Sequence, residues 1–128
     1  LNKIVKNDNN LEISLLGLSY KENTNSIKNA PSIELIKKFK NLKFNYYDKY
    51  VNEVNYKNLI KYNSLNKIIQ NSNILIIFNR SNDFTKINLK LLSKMKKRRI
   101  IIDPFGVLNK LNLKRIEIKY FTMGKKFN

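Results

Sequence analysis

The sequence contains no cysteine, histidine or tryptophan, and it has only 3 glycines and 2 prolines. Without cysteine the chain can form no disulfide and no thiolate metal site, and it has no thiol nucleophile. Without histidine it lacks the commonest general base and metal ligand. No cluster of metal-ligating residues is visible in what remains. These absences exclude thiol chemistry by this chain and leave no catalytic residue to nominate.

Acidic residues are also scarce, since 26 Lys and Arg face only 9 Asp and Glu and give a net charge of +17. One interpretation is a polyanionic partner. The other is a composition rich in Lys, Asn and Ile together, which places lysine on every solvated face. In either case the field favours an anionic nucleotide. The densest basic cluster, Lys94 to Arg99, has no interleaved aromatic residues, so we predict a solvated turn rather than a nucleic-acid surface.

Long hydrophobic runs are missing as well. No segment approaches the ~20 apolar residues that a membrane helix needs, and we expect no signal peptide and a cytoplasmic location. With 128 residues, of which 42% are hydrophobic, the chain can bury a real core. The first residue is Leu rather than Met, so we expect a part of a longer protein. Residues 1–10 are expected to be a linker or the end of a preceding helical region, and residues 11–128 one domain.

The hydrophobic pattern alternates between short apolar runs and helical periodicity. Strands are predicted at residues 11–16, 43–48, 73–78, 99–103 and 116–121, the last at an edge. Helices are predicted at residues 31–40, after an N-cap at Ser64, and from an N-cap at Asn88 to Met95. Residues 51–63 are predicted to be mainly loop. The alternation predicts an α/β fold, a Rossmann-like three-layer sandwich with a mainly parallel sheet of about five strands.

The loops that follow parallel strands share one edge of the sheet, which is the default ligand site. We therefore expect one group of polar and aromatic side chains there: Tyr20, Lys21, Lys28, Asp48, Asn79, Arg80, Ser81, Asp103 and Phe105. Gly17 stands alone, without the further glycines of a dinucleotide-binding turn. The domain is therefore not expected to bind a dinucleotide by itself, and a nucleotide contact would depend on side chains, chiefly Lys21.

The first of these loops resembles a known motif. The C-terminal domain of the UDP-glucose/GDP-mannose dehydrogenase family has Gly-Leu-Ala-Phe-Lys, a polar stretch, and Ser-Pro before a helix. The matching residues here are Gly17, Leu18, Tyr20, Lys21, Asn23, Thr24 and Pro31. The resemblance runs roughly from Leu11 to Lys125, with looser matches after the first loop. It implies that this chain is the nucleotide-sugar-binding C-terminal domain of such an enzyme.

The resemblance implies roles for individual residues. Tyr20 and Lys21 match an aromatic-lysine pair of the nucleotide-sugar site, although Tyr20 fits a loop anchor equally well and Lys21 a solvated lysine. Lys28 lies where the family has an Arg that reaches the NAD side of the cleft. Asp103 matches the acid of a family Asp-x-Arg, but Phe105 replaces the Arg. The predicted substrate-binding residues are thus Tyr20, Lys21, Asp103 and Phe105, with Lys28 toward the cofactor.

A second family segment, Thr-Asp/Glu-Trp-x-x-Phe, is only partly kept. Phe84 fits its final position and is predicted to lie in the core. Arg80 replaces the acid and Ser81 replaces the Trp. Together with Phe105, these departures leave open a different sugar or a degenerate domain with a structural or assembly role.

The resemblance also implies the rest of an enzyme. In the family an N-terminal domain binds NAD, and a helical middle carries the catalytic Cys and the dimer contacts. The whole enzyme oxidises the C6 alcohol of a UDP- or GDP-sugar to a carboxylate, in polysaccharide biosynthesis. The expected partners are therefore a nucleotide sugar, the two missing domains and a second copy of the enzyme. The isolated chain is expected to be inactive. A basic nucleic-acid-binding α/β domain remains the alternative.

Overall fold

A parallel sheet forms the centre of the computed structural model, which describes residues 10–19, 26–28, 30–52 and 54–123. The strands are β1 (Ile13–Leu16), β2 (Phe44–Tyr47), β3 (Leu59–Lys61), β4 (Ile74–Ile77), β5 (Arg99–Ile102) and β6 (Ile118–Phe121). The α-helices are α1 (Pro31–Lys38), α2 (Leu65–Gln70) and α3 (Leu89–Leu92), and two 3₁₀-helices are η1 (Asn82–Lys86) and η2 (Leu113–Ile116). The six strands lie in the order β3-β2-β1-β4-β5-β6, and every pairing is parallel. The predicted Rossmann-like class is confirmed, with β6 at an edge.

The two central strands, β1 and β4, are buried along their whole length because helices cover both faces of the sheet. Successive side chains of a strand point to opposite faces. In β4, Ile74 and Ile76 belong to the core under α1, and Leu75 and Ile77 belong to the core under α2 and α3. The three-layer arrangement follows from this alternation.

The helices begin where the sequence predicts. Pro31 is the first residue of α1, whose Ile33 and Ile36 are buried while Lys37 and Lys38 are exposed. The hydroxyl of Ser64 accepts a hydrogen bond from the Lys67 N–H at 3.2 Å and caps α2.

Asn88 caps α3 in the same way, because its side-chain oxygen accepts a hydrogen bond from the Leu91 N–H at 2.9 Å. The helix ends at Leu92 rather than at Met95, so its predicted length was wrong. Met95 is nevertheless buried, in the turn that leads toward β5.

The third strand is the element that the sequence does not reveal. Residues 51–63 were predicted to be mainly loop, but Leu59–Lys61 pair with β2. The backbone bonds at the ends of this pairing run from the Phe44 N–H to the Asn58 carbonyl at 2.7 Å and from the Tyr62 N–H to the Tyr46 carbonyl at 2.8 Å. The strand is short and lies at an edge, where Ile60 is 54% exposed, so it carries no alternating pattern.

None of the described helices is long and apolar enough to cross a membrane. The densest basic cluster of the sequence lies where β5 begins, at the amino edge of the sheet. There the Arg99 guanidinium donates hydrogen bonds to the carbonyls of Ser93, Met95 and Ile116. Lys94, Lys96, Lys97 and Arg98 are exposed. The cluster thus lies at the edge opposite the loops that follow the strands, and one of its cations, Arg99, has a structural role.

Candidate functional site

The strand order places a crevice at the carboxyl edge of the sheet, between β1 and β4. The chain continues from β1 to β2 on one side and then crosses to β4 on the other, so the loops diverge at this point. Open α/β sheets bind ligands in such crevices. The segments after β1, β4 and β5 border it, which is where the predicted site residues were expected.

Gly17 and Asn79 form the floor of this crevice. Gly17 has φ +88, and a Cβ there would lie 2.6 Å from Nδ2 of Asn79. The buried Asn79 amide donates to the carbonyl and hydroxyl of Ser19 at 3.3 and 3.2 Å, and its oxygen accepts from the Ser81 N–H at 3.1 Å. Only glycine allows Asn79 to come this close. The contact joins the ends of β1 and β4, and it excludes any residue with a side chain at position 17.

Asp48 ties the first loop to the end of β2. Its Oδ2 accepts hydrogen bonds from the N–H groups of Leu18 and Ser19 at 2.7 and 3.4 Å. Its Oδ1 accepts from those of Tyr50 and Val51 at 2.8 and 3.1 Å. The carboxylate is buried, and four backbone donors balance its charge. Asp48 therefore fixes the backbone at Leu18 and Ser19, shortly after the end of β1.

Asp103 plays the same part after β5. Its side chain is fully buried, and it accepts hydrogen bonds from the N–H groups of Val107 and Leu108 at 3.0 and 2.8 Å. The Tyr120 hydroxyl donates a third bond at 2.7 Å. Burial, and then this bond, raise the pKa of the Tyr120 phenol well above its ordinary value. These contacts hold the loop that carries Phe105, while the binding role of Asp103 stays a prediction.

Phe105 is exposed at this edge, with 44% of its surface accessible. The Arg80 guanidinium carbon lies 5.5 Å from the centroid of its ring. This contact joins the β4 and β5 exits, which sequence reasoning had considered separately. Arg80 was not among the predicted binding residues. Its position after a predicted strand was the one feature of the sequence that placed it at this edge.

Lys28 is exposed in the turn that leads into α1, on the same edge of the sheet. Its role toward a cofactor stays a prediction. Tyr20 and Lys21, the two residues on which the sequence prediction depended most, lie outside the described residues. Their binding roles likewise stay predictions.

An apolar groove lies beside these loops, with a volume of about 380 Å³. It is lined from α1 by Pro31, Glu34, Leu35 and Lys38, and from the sheet by Ile76, Phe78, Ile102 and Pro104. Ligand sites are typically concave and mainly apolar with a few polar groups. This edge has both features, because the groove is mainly apolar and the Arg80–Phe105 pair adds a charged group beside it.

Tyr47 and Asp83 form a contact that the sequence did not reveal. The Tyr47 hydroxyl donates a hydrogen bond to Oδ2 of Asp83 at 2.9 Å. Burial first, and then this bond and the charge of Asp83, raise the pKa of Tyr47 to about 12. The pair joins the end of β2 to η1, where Phe84 is buried as predicted. Within the described ranges no group of three potential ligands could hold a metal ion.

The fold and the site define a doubly wound α/β domain with a ligand crevice at the carboxyl ends of its strands. The sequence model of the "UDP-glucose/GDP-mannose dehydrogenase family, UDP binding domain" matches residues 14–110. The chain therefore belongs to the UDP-glucose/GDP-mannose dehydrogenase family and corresponds to its UDP-binding, C-terminal domain.

Individual relatives agree with this assignment. The chain is 26% identical over 126 residues to a UDP-glucose 6-dehydrogenase of Rickettsia conorii, covering 89% of this chain and 28% of that protein. It is 24% identical over 129 residues to a UDP-N-acetyl-D-mannosamine dehydrogenase of Methanocaldococcus jannaschii, covering 97% of this chain and 29% of that protein. The chain thus spans less than a third of these curated relatives.

A solved structure shares the fold. The UDP-D-ManNAc dehydrogenase of Pyrococcus horikoshii superposes with a TM-score of 0.75 at 21% identity, covering 96% of this chain and 28% of that chain. At this identity the superposition establishes the fold alone.

Proposed function

We propose that this chain binds the nucleotide diphosphate of a UDP- or GDP-sugar at the carboxyl edge of its sheet. It would do so as the C-terminal domain of an NAD-dependent dehydrogenase that oxidises the C6 alcohol of the sugar to a carboxylate. The observation that carries the proposal is the family match over residues 14–110, because that range contains the residues that directly follow β1, β2, β4 and β5 at this edge.

The charges at the edge support an anionic ligand. Asp48 and Asp103, which directly follow β2 and β5, are buried and accept hydrogen bonds from backbone N–H groups. The exposed charges of the neighbouring loops include Arg80 and Lys28, which are cations. A phosphate that approaches this edge would therefore be attracted by exposed cations. It would be repelled less by the two carboxylates, because backbone N–H groups already balance their charge.

The predicted binding residues divide into two kinds within this proposal. Tyr20, Lys21 and Phe105 would contact the nucleotide sugar, with Lys21 supplying the ammonium for a phosphate oxygen. Asp103 would act indirectly, since its carboxylate holds the loop of Phe105. Lys28 would face the cofactor, although its single ammonium cannot bind a phosphate in the bidentate manner of an Arg.

The cofactor and the chemistry would belong to the remainder of the enzyme. Among the described residues, the space above Gly17 that a pyrophosphate would need is filled by Asn79, so the residues present do not form a dinucleotide cradle. The chain also has no Cys for covalent catalysis. We infer that NAD is bound by another domain, that the isolated chain is inactive, and that the parent enzyme is a cytoplasmic homo-oligomer.

Isothermal titration calorimetry of the 128-residue chain with UDP, UDP-glucose and GDP-mannose tests this function. We expect the chain to bind at least one of these ligands saturably, including at least one nucleotide sugar. Lys21→Ala should weaken it by about tenfold, because the contact of an ammonium with a phosphate is a charge-assisted hydrogen bond. Lys97→Ala, at the amino edge, is the matched control and should bind like the wild type.

The rival functions give different results in the same experiment. A degenerate domain would bind none of the three ligands. A nucleic-acid-binding domain would instead bind oligonucleotides with an affinity that falls steeply with salt, and Lys97→Ala would weaken it. Equal binding by Lys21→Ala and the wild type would show that the assignment of Lys21 is wrong.

A further inference from the structure

Arg80 and Phe105 form an aromatic-cation pair that no predicted role explains. Arg80 is the third residue after β4 and Phe105 the third after β5, so neighbouring strands present both at the carboxyl edge. The guanidinium carbon lies 5.5 Å from the ring centroid, and both side chains are exposed. A guanidinium over a ring face is held by dispersion and by the ring quadrupole.

The hydrogen-bond donors of Arg80 remain available. Across the described ranges, no hydrogen bond or ion pair joins its guanidinium to another residue. Arg99 offers the contrast, because its guanidinium is used by three main-chain carbonyls at the amino edge. A cation–π contact with the Phe105 ring is made through the charge of the Arg80 guanidinium and takes up none of its N–H donors.

Both residues stand on firmly held backbone. Arg80 lies between Asn79 and Ser81, which are joined by the hydrogen bond from the Ser81 N–H to the Asn79 side chain. Phe105 lies in the turn that the Asp103 carbonyl closes with the Gly106 N–H at 3.1 Å. The pair is therefore preorganised, which reduces the entropy lost when a ligand binds.

We propose that Arg80, held over the ring of Phe105, binds the diphosphate group of the nucleotide sugar. The inference rests on the proposed function and adds to it a residue from the β4 exit. A guanidinium binds phosphate oxygens through two parallel N–H bonds, and no described residue takes up the N–H groups of the exposed Arg80. Phe105 then acts by positioning the guanidinium.

Calorimetric titration of the 128-residue chain with UDP and with uridine tests the inference, because only UDP carries the diphosphate. Arg80→Gln should weaken UDP binding by about tenfold or more and leave uridine binding unchanged. Arg80→Lys should lose less UDP affinity than Arg80→Gln, since lysine keeps the positive charge but cannot form two parallel hydrogen bonds to a phosphate. Phe105→Ala should weaken UDP binding by about threefold, as expected for losing an exposed cation–π contact.

Arg115→Gln is the matched control, because Arg115 is exposed in η2, which precedes β6 at the amino edge. It removes the same charge and should change UDP affinity by less than about twofold. Equal losses in Arg80→Gln and Arg115→Gln would overturn the inference and leave the proposed function intact. So would an equal loss of UDP and uridine binding. Failure of the wild-type chain to bind any nucleotide would overturn both.

Discussion

Replacing Gly17 by alanine tests whether the floor of the crevice is built as described. The substitution adds one methyl group at a backbone with φ +88, which side-chain-bearing residues rarely adopt. The new Cβ would lie 2.6, 2.8 and 2.9 Å from Nδ2, Cγ and Oδ1 of Asn79. Asn79 would have to move, and it is buried and tied to Ser19 and Ser81.

The size of the effect follows from two contributions. The left-handed backbone costs roughly 1–2 kcal/mol for a residue with a Cβ. Displacing Asn79 weakens its hydrogen bonds to Ser19 and Ser81, which are worth about 1 kcal/mol each. We therefore expect Gly17→Ala to lower the free energy of unfolding by about 3 kcal/mol, a large share of the ~5–15 kcal/mol that is typical of a domain.

Urea unfolding followed by circular dichroism measures this difference, and Gly106→Ala provides the control. Gly106 also has a positive φ, of +68, but a Cβ there would be 3.1 Å from the side chain of Asn109, which is exposed and can move. Gly106→Ala should therefore show the backbone cost alone, about 1 kcal/mol.

A double substitution separates the clash from the backbone strain. In Asn79→Ala the atoms that meet the new Cβ are gone, so adding Gly17→Ala should cost only about 1 kcal/mol more. If Gly17→Ala costs the same in both backgrounds, or no more than Gly106→Ala, the close approach of Asn79 to Gly17 is refuted.

Two further predictions concern the Asp103 carboxylate and the Tyr47 phenol. Asp103→Asn should lower the free energy of unfolding by about 2 kcal/mol, because an amide cannot accept all three hydrogen bonds; unchanged urea unfolding would rule out the loop-holding role. The Tyr47 phenol, whose pKa is raised to about 12, binds its proton more tightly in the folded chain than in the unfolded chain. Its contribution to stability is therefore complete below pH 10 and is lost as the pH rises toward 12. The stability difference between wild type and Tyr47→Phe should shrink over that range, and a difference that grows would contradict the assignment.

The sequence predicts the sheet well because its central strands are buried on both faces. Continuous apolar runs such as Ile74–Ile77 can hardly form anything else at that length, and parallel pairing then determines which loops share an edge. The strand β3 is not predicted from the sequence, because Leu59–Lys61 is held by backbone hydrogen bonds to β2 and its side chains are largely exposed. Helix α3 was predicted too long because Met95 is buried by a turn rather than by helical periodicity.

The site is only partly predictable for a related reason. Strand ends identify which residues reach the carboxyl edge, and Asp48, Asn79, Arg80 and Asp103 were all placed there from the sequence. What each side chain does there depends on partners far along the chain. Asn79 meets Gly17, and Arg80 meets Phe105, through the register of neighbouring strands, which local sequence does not encode.

Amide NMR spectra of the ¹⁵N-labelled chain, recorded during a titration with UDP, test most directly whether the carboxyl edge binds a nucleotide. If a nucleotide binds at this edge, the largest shift changes fall on the strand exits, at Gly17, Asn79, Arg80 and Gly106. Amides of the amino edge, such as those of Lys97 and Arg115, should move little. Changes centred on the amino edge, or spread evenly over the basic surface, would contradict it.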